Sequence, residues 1–173
     1  MQRARQTLAD YEAFPEKTKA DFIEGELVMA PSSTPWHERL VVRFVQRLAD
    51  TLGPGWDDRV LGSHFEIRVL GEAAQPDISV LPEGTKATGP DWKPPLPVLV
   101  AEILSPSTAR HDRGPKLRFY RRAQVREAWL LDPKTRTIEI HDLAAGGVAI
   151  ARDVAVSRAV PGLRVDVAAF FSA

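Results

Sequence analysis

The chain has 173 residues, 44% of them hydrophobic, enough for one domain that buries roughly 70% of its unfolded-chain surface and too few for two. Its 23 basic side chains balance 23 acidic ones, which excludes a protein that grips polyanions by bulk charge and leaves only a local basic face. The absence of cysteine excludes disulfides, thiolate metal sites and cysteine nucleophiles. No apolar leader follows Met1 and no apolar run nears the ~20 residues of a membrane span, so the expected compartment is the cytoplasm, with no membrane partner.

Residues 1–20 are polar with Tyr11, Phe14 and Pro15 interspersed, which suits a short helix or arm. From Phe22 to Met29, two apolar runs flank Glu24-Gly25-Glu26, the pattern of a tight hairpin or bulged strand. After the break at Pro31 to Pro35, Leu40, Val41, Phe44, Val45, Leu48 and Leu52 recur at the spacing of an amphipathic helix that Gly53-Pro54-Gly55 stops. Val60 to Leu70 alternates after Gly62 and reads as one half-exposed strand, with a turn at Gly71-Glu72-Ala73. Pro76 to Leu81 and Pro97 to Leu104 are short apolar runs, as expected for strands buried on both faces. Between them, residues 82–95 read as an exposed loop able to close over a cleft.

Asp112 to Ala123 is helical in pattern, with Asp112 as cap and Pro115 in the first turn. Ala128 to Leu131 and Thr137 to Ile140 follow as a strand pair around a turn at Asp132-Pro133-Lys134. In the tail, Val167, Phe170 and Phe171 are expected to cap the core. The whole reads as a single α/β domain over residues 1–173.

Two of the apolar runs carry one carboxylate each, Asp77 and Glu102. A carboxylate in a buried run costs several kcal/mol unless it is paired or bound to a metal. Neighbouring strands lie about 4.8 Å apart, so two acids at matched height can share a divalent cation. Mg²⁺ suits oxygen ligands and keeps waters that a phosphate can replace, and the Ile103 carbonyl is a further candidate ligand. An ion pair or a hydrogen-bonded strand-end acid is the plainer alternative. Lys116 and Tyr120 project from one face of the following helix, where Lys116 can reach a phosphate or simply pair with Asp112, and Tyr120 also fits as core. Glu24 suits an outer metal ligand or a turn acid, and His37 a phosphate or water contact or a helix-start histidine. His64 and His111 read as surface residues. The cluster Arg110, His111, Arg113, Lys116, Arg118, Arg121, Arg122 and Arg126 is a candidate for steering a phosphate backbone.

This order of residues resembles the PD-(D/E)xK nuclease superfamily, and within it the Uma-type restriction endonuclease family. Pro76-Asp77 is similar to the "PD" element, and Glu102-Ile103-Leu104 to the "(D/E)xK" element with leucine in the lysine's place. In the Uma-type branch the lysine moves to the next helix in an Asp-x-x-x-Lys-x-x-x-Tyr pattern, here Asp112, Lys116 and Tyr120, after Ser105-Pro106-Ser107. The resemblance extends to Glu24-Gly25-Glu26 and His37 upstream, and to Trp129 through Pro133 downstream. It implies a restriction-endonuclease-like αβββαβ core, a central mixed sheet flanked by helices with extra β-hairpins. It also implies a metal-dependent endonuclease that hydrolyses DNA with Mg²⁺, or Mn²⁺ in its stead, on Asp77 and Glu102, working as a homodimer. The hairpin near Thr137 to Ile140 and the segment Val165 to Phe171 are alternative candidates for the contact surface. Lys116 would stabilise developing charge rather than act as base, because neighbouring carboxylates keep it protonated. The alternative is an inactive nuclease-fold module that binds nucleic acid or a protein.

Overall fold

A computed structural model describes residues 7–13 and 19–172; Phe14 and Pro15 of the expected N-terminal arm lie outside the described residues. Thr7 caps the short helix α1 (Leu8–Glu12) with a reciprocal bond to Asp10. The hairpin expected around Glu24-Gly25 is strands β1 (Ala20–Ile23) and β2 (Glu26–Met29). Both turn residues have positive φ, 56° and 76°, which a two-residue type I′ turn needs to match the strand twist. Helix α2 (Pro35–Leu52) starts from Thr34, whose hydroxyl accepts from the His37 N–H, with Pro35 in the first turn where a missing N–H leaves nothing unpaired.

The reading of Val60 to Leu70 as one strand is corrected. Strand β3 (Val60–Gly62) and strand β4 (Ile67–Val69) belong to different sheets, because the chain turns after Gly62, where the Phe65 N–H donates to the Gly62 carbonyl. The next turn falls on Leu70-Gly71, and Glu72 and Ala73 already belong to β5 (Glu72–Ala74). Strands β6 (Ile78–Val80) and β7 (Leu99–Ile103) are the two buried runs. Residues 82–95 line no part of the cleft that β6 and β7 lead into, so the expected covering loop lies elsewhere on the surface.

After β7 the chain enters α3 (Ala109–His111), a π-helical turn at Asp112–Lys116 and α4 (Leu117–Arg122). Asp112 is therefore inside the helical rod and not its cap. Pro115 has no N–H to give to the ladder, and the wider π turn absorbs it. Strands β8 (Glu127–Asp132), β9 (Thr137–Asp142), β10 (Gly147–Ala151), β11 (Val154–Val156) and β12 (Arg164–Asp166) follow, then helix α5 (Val167–Phe170).

Six strands form the central sheet in the order β10-β9-β8-β7-β6-β3, antiparallel except for β7 and β8. A parallel pair needs a crossover, and the α3–α4 rod supplies it. The sequence α2, β3, β6, β7, α4, β8 thus has the αβββαβ order. Leu40, Phe44 and Leu48 of α2 pack on one face against Leu99, Ala101, Trp129 and Leu131, and Phe170 and Phe171 close that core. On the other face, Phe119 and Tyr120 of α4 pack with Val100 and Ala128 beside Ile23, Ile67 and Ala74 of the small sheet β2-β1-β5-β4. Of the two candidate dimer surfaces, Thr137 to Ile140 lie in β9 between β8 and β10 with Glu139 and Ile140 half-buried, and in the C-terminal segment Val165, Val167, Phe170 and Phe171 are buried while Asp166, Ala168 and Ala169 are exposed.

Candidate active site

Strands β6 and β7 pair with Ile78 opposite Ala101, and one step along this register Asp77 stands opposite Glu102. Both carboxylates are 3% exposed at the base of a cleft. Asp77 accepts from the Ile103 N–H (2.8 Å), from Lys19 and from His37 Nε2 (3.1 Å). Burial alone would raise its pKa, but the His37 bond and the Lys19 charge outweigh that and hold it well below the carboxylate range. The same bond raises the pKa of His37.

Glu102 accepts from the Tyr120 hydroxyl and lies 2.7 Å from Lys116 Nζ. Burial pushes Glu102 up to about 7; Lys116 pulls the other way, and the charges of Asp77 and Asp112 add to the rise. Lys116 is itself buried, 3.5 Å from Asp21 and 3.7 Å from Asp112. Burial works against its charge, yet Asp21 and Glu102 more than compensate, so the ammonium stays protonated. The Tyr120 hydroxyl is held protonated by burial and by the Glu102 charge.

Asp77 with His37, and Glu102 with Lys116 and Tyr120, are therefore two bonded sets that face each other across the β6–β7 gap. Glu24 is outside both. It sits on the β1–β2 turn, where Arg118 holds it with two bonds of 2.8 and 2.7 Å and lowers its pKa to about 2. The acid that β1 delivers to the cleft is Asp21, three residues earlier, which accepts from the Gln75 N–H (2.9 Å) and contacts His111 Nε2 (3.1 Å). Lys19 and Asp21 are absent from the sequence reading as site residues, and the reading of His111 as a surface residue is corrected, because its ring turns into the cleft against Asp21. Asp21 had a signal, since it begins the apolar run Asp21-Phe22-Ile23 as Asp77 precedes Ile78; Lys19 and His111 had none.

The basic cluster on the rod is largely consumed. Lys116 and His111 turn inward, Arg113 binds Asp132 (2.8 Å) and Glu139 (2.7 Å), Arg118 binds Glu24, and Arg122 binds Glu72 (2.5 Å). It does not form the open steering face expected of it.

Residues 7–168 match the Uma2 family, described as "Putative restriction endonuclease". The chain belongs to this family. Two curated relatives from Synechocystis, the uncharacterized proteins slr1290 and sll1609, are each 29% identical over 129 residues, 72% of this chain. The match spans 65% of the first relative's length, under two thirds of it, and 73% of the second's. A crystal structure from Anabaena variabilis, described as "a putative nuclease belonging to DUF820", superposes with a TM-score of 0.77 at 18% identity, covering 95% of this chain and 97% of that one. That likeness establishes the restriction-endonuclease-like fold. Among the described residues no helix is long and apolar enough to cross a membrane.

The donor set of this Uma2 chain fits a hard divalent cation. Asp77 and Glu102 offer carboxylate oxygens across one strand gap. Four carboxylates, Asp21, Asp77, Glu102 and Asp112, share the cleft with two lysines, Lys19 and Lys116, and with His37 and His111. Among the described residues no three acid or histidine side chains converge to enclose an ion. Two carboxylates make an open site, the kind in which Mg²⁺ keeps waters and takes substrate oxygens.

Proposed function

We propose that this protein is a divalent-metal-dependent endonuclease that hydrolyses DNA phosphodiester bonds, using Mg²⁺ or Mn²⁺ held by Asp77 and Glu102. The observation that supports this most is the pair of buried acids opposed across β6 and β7 at the base of the cleft. A bound ion of this class supplies a more acidic water and a counter-charge for phosphoryl oxygens. The protein's own groups do the rest. The Ile103 N–H and His37 fix the Asp77 carboxylate, and Tyr120 with Lys116 fixes Glu102, so neither acid must reorganise when substrate enters. Lys116 acts as a protonated stabiliser of negative charge, because three carboxylates surround it. A base role would need it neutral.

A second reading is a non-catalytic nuclease-fold module, favoured by the fact that Lys19, His37, Lys116 and Tyr120 already satisfy both acids. Supercoiled and linear DNA incubated with Mg²⁺, Mn²⁺ or EDTA separates the two. Metal-dependent cleavage that Asp77→Asn and Glu102→Gln abolish supports the nuclease; no cleavage with either metal rejects it.

Cutting both strands of a duplex takes two centres and one chain has one, so we also propose a homodimer acting on cytoplasmic DNA. The edge strand β10, which among the described residues pairs only with β9 and exposes Val148 and Ile150, is the surface that suits it.

A further inference from the structure

Arg39, Arg43 and Arg47 recur every four residues on one stripe of α2, the helix whose His37 holds Asp77. Among the described residues none of the three makes an ion pair with a carboxylate. Trp36 lies beneath two of them, with the Arg39 and Arg43 guanidinium carbons 5.9 and 5.6 Å from its ring centre. That arrangement fixes the direction of the stripe, which starts between Thr34 and His37 of the cleft wall and runs away from the cleft to a separate depression where Arg43 and Arg47 meet Asp50 and Asp166. Arg43 also donates to the carbonyl oxygens of Phe170 (2.7 Å) and Ser172, which anchors the group without neutralising it. Arg39 and Arg47 are exposed.

On the α3–α4 rod Arg113, Arg118 and Arg122 are paired with carboxylates and the exposed Arg110 and Arg121 stand far apart along it, whereas the three arginines of α2 stand on successive turns, none with a carboxylate partner. The cleft meanwhile holds more acids than lysines, so a polyanion approaching it meets repulsion unless a cationic surface lies alongside. We propose that α2 is the track for the phosphate backbone of the nucleic acid. The backbone passes Trp36, Arg39 and Arg47 contact phosphates, Arg43 adds to the field, and the track ends before Asp50, the acid that closes the stripe. From Arg39 to Arg47 is about 12 Å along the helix, the rise of three or four base pairs. This deepens the nuclease reading, on which it rests for the identity of the scissile bond.

The test is binding of a labelled DNA duplex, and of one of its strands, across a salt series in EDTA, beside plasmid cleavage in Mg²⁺. Arg39→Gln with Arg47→Gln should weaken binding of at least one DNA form about tenfold or more at low salt. It should also reduce the slope of log affinity against log salt by about 1.8 for duplex, two contacts at 0.9 each, or about 1.4 for a single strand. The control, Arg110→Gln with Arg121→Gln on the rod, should change affinity by less than about twofold. Unchanged affinity and slope in the α2 variant for both DNA forms, or an equal loss in the control, overturns the proposal. Both side chains are exposed, and circular dichroism verifies that the variants fold. DNA cut at the wild-type rate by the α2 variant sinks the track and leaves the nuclease reading standing. Binding that depends on Arg39 and Arg47 without any cleavage supports the track and sinks that reading.

Discussion

Lys116→Met removes the single ammonium that three buried carboxylates share, at 2.7 Å from Glu102, 3.5 Å from Asp21 and 3.7 Å from Asp112. Methionine keeps the unbranched stem and its packing, so the change is chiefly one of charge. Deleting one partner of a buried ion pair typically costs about 3–5 kcal/mol, because the remaining charge stays desolvated. In a chain of this size each kcal/mol lowers Tm by about 2–4 °C, which puts the expected drop near 10 °C. The penalty has a definite pH dependence. Glu102 is raised from 4.5 to about 7, and Asp112 is raised too, chiefly by burial. A carboxyl raised on folding adds stability below its unfolded pKa and loses it as pH climbs through the folded value. Without Lys116 both acids rise further, so the variant should be worst at alkaline pH and approach wild type as pH falls from 7 toward 4.5. Thermal melts of metal-free protein in EDTA across that range make the measurement. A wild-type Tm at alkaline pH, or a deficit that grows on acidification, would refute the view of Lys116 as the acids' shared counter-charge. If the nuclease reading holds, the same variant loses about two orders of magnitude in cleavage rate, as expected for one preorganised charge.

Asp77→Asn and Glu102→Gln should each weaken Mn²⁺ binding in a calorimetric titration, and Glu102→Gln should raise the Tm of metal-free protein at alkaline pH; unchanged affinity in both variants removes the metal site. Glu24→Ala should leave cleavage and Mn²⁺ binding intact and cost no more than about 1 kcal/mol, since its partner Arg118 is a surface arginine. Loss of cleavage in that variant would return Glu24 to the site. Light scattering should give the mass of two chains for the wild type and of one for Ile150→Lys; a monomeric wild type rules out the dimer.

Asp77 and Glu102 are legible in the sequence because each stands in an otherwise apolar run, where a carboxylate must find a distant partner. Amphipathic spacing likewise makes α2 and the buried strands readable. What is not legible is which charges meet. Arg113 reaches Asp132 across 19 residues, Arg122 reaches Glu72 across 50, and Arg118 reaches Glu24 across 94, so a linear cluster of arginines looks free although folding pairs half of it. The same blindness hides Asp21, which enters the cleft only because β1 pairs with β5 and the Gln75 N–H binds its carboxylate. The reach of Lys116 follows from the same geometry. A lysine at the Leu104 position would stand beside Glu102 on one strand, whereas on the helical rod Lys116 reaches acids from β1, β7 and the π turn together. From the helix the ammonium is thus a joint between the small sheet, the central sheet and the crossover, while Lys19 and His37 serve Asp77 on their own.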